Sequence, residues 1–194
     1  MDVSSIRLKA FSKLAYGDPR GYLEELALLD AAVSVSDLPS NVKHLRTNPQ
    51  KPDRERRDAA IFCLGMSKAL NTEVRFLQTE KQDYDFVVTW EMDYTRHFCP
   101  IQLKEFVSSE LNPKATIQDV LSSLSKYTDS TDITVAIKLG RNFRFEPSDL
   151  QIPSELSIAA IWVYGALTEN QFEWALWGDF VQGSTEGIKF QIPR

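Results

Sequence analysis

Tyr84-Asp-Phe-Val-Val-Thr-Trp90 and Phe98-Cys-Pro-Ile-Gln-Leu-Lys-Glu-Phe-Val107 are the segments on which the fold turns. Both are rich in the β-branched and aromatic residues that strands favour. The polar connection between them, Glu91 to Arg96, suits a hairpin or meander. Upstream, Glu73-Val-Arg-Phe-Leu-Gln-Thr79 alternates apolar and polar residues and reads as an earlier strand. Before it, Arg54 to Leu70 places Asp58, Ile61, Phe62, Gly65 and Ala69 on one helical stripe.

Downstream, Asn112-Pro-Lys-Ala-Thr116 ends the strands and opens a helix. Thr116 and Asp119 have the spacing of a capping box, and Ile117, Val120, Leu121, Leu124 and Tyr127 mark the apolar face. Asp132-Ile-Thr-Val-Ala-Ile-Lys-Leu-Gly140 is a fourth strand. A strand, a helix and a strand in succession predict a right-handed crossover between parallel strands. Segments 154–167, 172–178 and 188–192 extend the sheet. The expected fold class is α/β: a mixed central sheet flanked by helices, in the order helix-strand-strand-strand-helix-strand.

An N-terminal helical extension precedes that core. Ala15-Tyr-Gly-Asp-Pro-Arg-Gly21 is a turn by its Gly and Pro content, and a helix follows from Tyr22 to Val35 until Leu38-Pro-Ser-Asn-Val42 stops it. Thr47-Asn-Pro-Gln-Lys-Pro-Asp53 is read as a linker, its prolines being unsuited to a helix interior or a central strand. The expected division is therefore 1–50 as extension and 51–194 as α/β core with C-terminal strands.

The 194 residues are 43% hydrophobic and 25% charged, an ordinary globular composition that argues against disorder and against a disulfide mini-scaffold. No apolar run reaches the ~20 residues of a membrane-spanning helix, and the N-terminus lacks the pattern of a signal peptide. Cys63 and Cys99 have no metal-like spacing and are expected as free thiols, which fits a cytoplasmic location. With 22 Lys and Arg against 27 Asp and Glu, the net charge of −5 speaks against non-specific coating of nucleic acid while leaving room for a local basic groove.

Three chemical motifs are absent: a phosphate-binding Gly-rich loop with Lys, a Gly-x-Gly-x-x-Gly turn and a Gly-x-Ser-x-Gly elbow. The only histidines, His44 in the extension and His97 in the expected loop, leave little material for a zinc site or a triad. Acid–base chemistry then falls to carboxylates, Lys or Tyr.

One constellation remains. Residues two apart in a strand share a face, so Gln102 and Lys104 project together while Ile101 and Leu103 take the other side. If the two strands pair, Asp85 approaches both. A carboxylate oxygen, an amide oxygen and the Leu103 carbonyl are hard donors suited to Mg²⁺ or Mn²⁺ rather than zinc. Lys104 is placed to orient a water or offset charge on a phosphorane. Asp58 or Glu55 of the first helix would add an acidic ligand, Asp58 fitting the inward stripe better.

This order of elements, with Tyr84-Asp85 on one strand and Gln102-Leu103-Lys104 on the next, resembles the PD-(D/E)xK nuclease superfamily over about 53–140. The resemblance implies a restriction-endonuclease-like core and a metal-dependent endonuclease that hydrolyses phosphodiester bonds, DNA being preferred over RNA as substrate. Asp85, Gln102 and Lys104 would be its catalytic residues, and Asp85, Gln102, Leu103, Asp58 and Glu55 its candidate ligands for Mg²⁺. Tyr84 stands where the family has Pro, and Gln102 where it has an acidic residue; the second change removes a charge and lowers metal affinity.

Simpler readings stand beside it. Asp85 reads equally as a residue capping a turn at a strand start, and Gln102 and Lys104 as a solvated strand face. Asp58 and Glu55 suit a helix surface, and the basic cluster Lys51 to Arg57 a solvated first turn. Trp162, Trp174 and Trp177 suit base stacking less well than core packing. Two further readings remain: a non-catalytic relative that binds or regulates, and a structural subunit whose aromatic C-terminal strands form a homodimer interface.

Overall fold

The computed structural model describes residues 3–34, 51–79, 84–127, 130–140 and 145–193. Helices α1 (Val3–Phe11), α2 (Pro19–Ser34) and α3 (Lys51–Leu70) come first. Strands β1 (Val74–Gln78), β2 (Phe86–Met92) and β3 (Thr95–Phe106) follow, then α4 (Ile117–Ser122), which tightens into a 3₁₀ turn over Ser123–Lys126. The chain closes with β4 (Ser130–Leu139), β5 (Ile158–Ala166), β6 (Glu173–Trp177) and β7 (Gly187–Gln191). The seven strands form one mixed sheet in sequence order. The fold class is α/β.

β1, β2 and β3 are an antiparallel meander, β3, β4 and β5 run parallel, and β6 and β7 return antiparallel. The β2–β3 connection is tighter than Glu91 to Arg96 suggested. Pairing continues to Met92↔Thr95, and only Asp93 and Tyr94 turn the chain, with φ of 51° and 60°. Two successive positive φ values make the mirror-image turn whose twist matches a hairpin. His97, expected in the loop, therefore lies on β3.

The β3–β4 crossover is parallel, as the strand–helix–strand pattern requires. Its helix opens on a complete capping box: Asp119 N–H donates to Thr116 Oγ1 at 3.1 Å, and Thr116 N–H to Asp119 Oδ2 at 2.7 Å. Leu121 and Leu124 pack there on Val135, Ile137, Ile161 and Val163, forming one core layer.

The larger layer lies on the opposite face under α3, whose residues Asp58 to Gly65 are all buried. Ala59, Phe62 and Cys63 share a core with Phe86, Ile101, Tyr164, Trp174 and Phe190. Each large side chain buried this way stabilises the fold by about 1.5–3 kcal/mol. α3 packs against β1 and also against β6 and β7, so the sheet curls round it. Gly65 permits that approach: a Cβ there would meet the Phe190 ring at 3.0 Å and Leu176 Cβ at 3.3 Å.

α3 begins at Lys51, inside the segment read as linker, and takes Pro52 into its first turn. Proline is tolerated there because first-turn N–H groups lack helical acceptors anyway. α2 similarly starts at Pro19, where Asp18 accepts from the N–H groups of Arg20 and Gly21 at 3.0 and 3.1 Å. The N-terminal helices join the core: Leu23 of α2 is buried in the α3 layer, and Phe11 of α1 packs on Tyr84 and Val87. Leu38–Val42, His44 and the first part of the expected linker lie outside the described residues.

Candidate functional site

The β2–β3 register sets Phe86 opposite Ile101, which places Asp85 across from Gln102. The Asp85 backbone is fixed from both sides: its N–H donates to Ile101 O at 2.9 Å, and its carbonyl accepts from Thr79 N–H at 3.1 Å. Its carboxylate turns toward β3, where Oδ2 accepts the Leu103 N–H at 2.6 Å and the Gln102 side-chain amide. The same amide reaches the Leu103 carbonyl at 3.3 Å. Asp85, Gln102 and the Leu103 main chain thus form a closed hydrogen-bonded set, with Gln102 buried.

Lys104 lies two residues on, beside Ile137 of β4 as Gln102 lies beside Val135. Its ammonium stands over the Tyr127 ring, 5.7 Å from the centroid, a cation–π contact that holds it at the strand ends. Glu55 arrives from the first turns of α3, held by Lys51 at 3.3 Å, and Gln78 anchors that helix end by donating to Pro52 O at 3.1 Å.

Burial pushes the Asp85 carboxyl above its ordinary range. The Leu103 N–H opposes that shift, the Glu55 charge adds to it, and Lys104 and Lys51 oppose it. One carboxylate close enough to disfavour another, with two ammonium groups nearby, is an arrangement that ligands and reactions exploit. These groups gather where parallel strands β3, β4 and β5 end, the side on which open α/β sheets bind ligands.

Asp58 has a different partner. Its place on the inward stripe carries it under the sheet, where Oδ1 meets Lys138 Nζ at 2.7 Å with both side chains largely buried. Tyr164 OH donates to the Asp58 carbonyl at 3.3 Å, and burial followed by the Asp58 and Glu105 charges raises the Tyr164 hydroxyl well above its usual range. The α3 carboxylate whose charge bears on Asp85 is Glu55. Sequence reasoning passed over Lys138, although a lone cation closing the apolar run Val135 to Ile137 was a signal that something must neutralise it.

The basic cluster is engaged in several places: Lys51 with Glu55, Arg56 over the Tyr22 ring at 4.4 Å, and Arg57 with Gln171 Oε1 at 3.3 Å. Trp174 is core, while Trp162 and Trp177 are half-buried. Cys63 and Cys99 are free thiols. Among the described residues no group of three or more His, Cys, Asp or Glu side chains gathers as a metal site, and no helix is long and apolar enough to cross a membrane. What comes together at Asp85 is its own carboxylate, the Gln102 amide nitrogen and the Leu103 main chain, with the Glu55 charge acting on it from α3.

No family model, curated protein or solved structure matches this chain.

Proposed function

We propose that the chain is a metal-dependent phosphodiesterase of the PD-(D/E)xK type, with a restriction-endonuclease-like core formed by α3, β1, β2, β3, α4 and β4. The observation that carries this reading is the joining of Asp85 to Gln102 and Leu103, with Lys104 on the same strand face and Glu55 near enough to raise the Asp85 carboxyl. Asp85, Glu55, the Gln102 amide oxygen and the Leu103 carbonyl would hold Mg²⁺ or Mn²⁺, which supplies polarisation of the phosphodiester and a more acidic water. Ligation requires an ionised Asp85 and a Gln102 amide turned to present its oxygen. Lys104, steadied by Tyr127, offsets negative charge as it grows on the phosphoryl oxygens. Duplex DNA is the first substrate to try and RNA the second.

Incubation of the protein with both nucleic acids and Mg²⁺ or Mn²⁺, beside Asp85→Ala and Lys104→Ala, tests the reading. Metal-dependent cleavage lost in both variants supports it. Cleavage that survives both overturns it.

A second reading has its own observation. Asp85 is already satisfied by two N–H donors, so the set also works as a clamp between strands without any cation. On this reading the fold binds or regulates, and neither a metal nor a reaction involves Asp85.

A further inference from the structure

A cavity of about 160 Å³ lies at the other end of α3 from the carboxylates. Phe62, Met66 and Leu70 of α3 form its roof, and Val88, Trp90, Cys99, Ile101, Thr134 and Trp162 of β2 to β5 form most of its floor and walls. No charged side chain lines it. It is partly open to solvent, and its volume and apolar lining suit a molecule of benzene size.

We propose that this cavity is a binding site for one small uncharged aromatic molecule, of the size range from benzene to indole. The walls select that chemistry. Phe62, Trp90 and Trp162 offer ring edges and faces, and Met66 and Cys99 offer sulfur, all of which favour aromatic partners over saturated ones. Trp90 is a fixed wall, because His97 stacks on it with centroids 5.1 Å apart and planes 11° from parallel. Apart from the indole N–H groups of Trp90 and Trp162, the polar side-chain atoms of the lining are Cys99 Sγ and Thr134 Oγ1, 3.2 Å apart. That pair offers a hydrogen-bonding handle for a hydroxyl or ring N–H. Burial pushes the Cys99 thiol up to about 11, so it is uncharged at neutral pH and offers no counter-charge to an ionised ligand. A carboxylate or ammonium would enter unpaired and is excluded.

Benzene, phenol and indole, with benzoate as the charged control, are titrated into the full chain while melting temperature and the tryptophan indole N–H resonances are followed. The neutral rings are expected to raise the melting temperature saturably and to shift Trp90 and Trp162, leaving Trp174 and Trp177 in place; benzoate is expected to do neither. Cys99→Leu, which fills part of the space, is expected to weaken indole by about tenfold or more. Resonances and melting temperature that stay unchanged with every neutral probe overturn the proposal, as do shifts confined to Trp174 or Trp177. The wild-type titration stands alone should the variant fail to fold.

Discussion

Asp85 Oδ2 accepts the main-chain N–H of Leu103 at 2.6 Å, so a carboxylate takes the place that a carbonyl would hold if β2 began earlier. Removing it leaves a partly buried N–H unpaired. Asp85→Ala is therefore expected to lower unfolding free energy by about 1–3 kcal/mol. Urea denaturation should show a lower midpoint with an unchanged slope. A variant as stable as the parent would mean that this bond contributes nothing.

Asp85 also makes stability depend on pH. Its carboxyl is raised in the fold, chiefly by burial and further by Glu55, so the folded state holds that proton more tightly than the unfolded chain. The resulting stabilisation is present below the ordinary carboxylate range and is lost as pH rises through the raised folded value. Asp85→Asn removes this contribution. Compared with the parent, its melting temperature should fall less, or rise, as pH climbs from below the ordinary Asp range toward neutral. Parallel profiles would contradict the shift.

The Asp58–Lys138 pair is under the sheet, and loss of one partner strands the other charge. Asp58→Asn or Lys138→Ala is expected to cost about 2–4 kcal/mol, slightly below the range for fully buried pairs because both side chains keep some exposure. Replacing both together, as Asp58→Asn with Lys138→Ala, should cost less than the sum of the two single changes. A double-mutant cycle by chemical denaturation measures this, and purely additive losses would refute the coupling.

Gly65 faces Phe190 and Leu176 closely enough that a methyl group forces them apart. Gly65→Ala gains helix propensity yet is expected to destabilise by about 1–3 kcal/mol through overpacking. Phe190→Leu in the same chain should recover part of that loss. Calorimetric melting of the three variants decides it, and a stabilised Gly65→Ala would show that α3 has room.

Much of this arrangement is legible in the sequence because period-two alternation fixes strand faces locally. The alternation in Ile101-Gln-Leu-Lys-Glu105 alone dictates that Gln102 and Lys104 share a side, and the crossover rule sets β3 beside β4 in parallel. The Thr116–Asp119 capping box was equally local. What the sequence hid depends on distant partners or on uncommon local choices. Asp93-Tyr94 turns a hairpin with no glycine or asparagine to announce it. Pro52 reads as a breaker until its first-turn position is known. The stripe of α3 set Asp58 on the inward side, against the plainer reading of a surface helix charge, but could not show what neutralises it, since Lys138 lies 80 residues away and meets it only through the curl of the sheet. Glu55, with no such stripe, is brought near Asp85 by the anchoring of the helix end to β1.

Calorimetric titration of Mn²⁺ into the parent, Asp85→Asn, Glu55→Gln, Asp58→Asn and Gln102→Glu tests the cation site most directly. Saturable heat is expected in the parent and in Asp58→Asn, weakened about tenfold or more in Asp85→Asn and Glu55→Gln, and strengthened in Gln102→Glu, where a charge replaces the amide. Heat that is absent from the parent, or indifferent to Asp85 and Glu55, would contradict a hydrolytic centre and leave the strand clamp as the role of these residues.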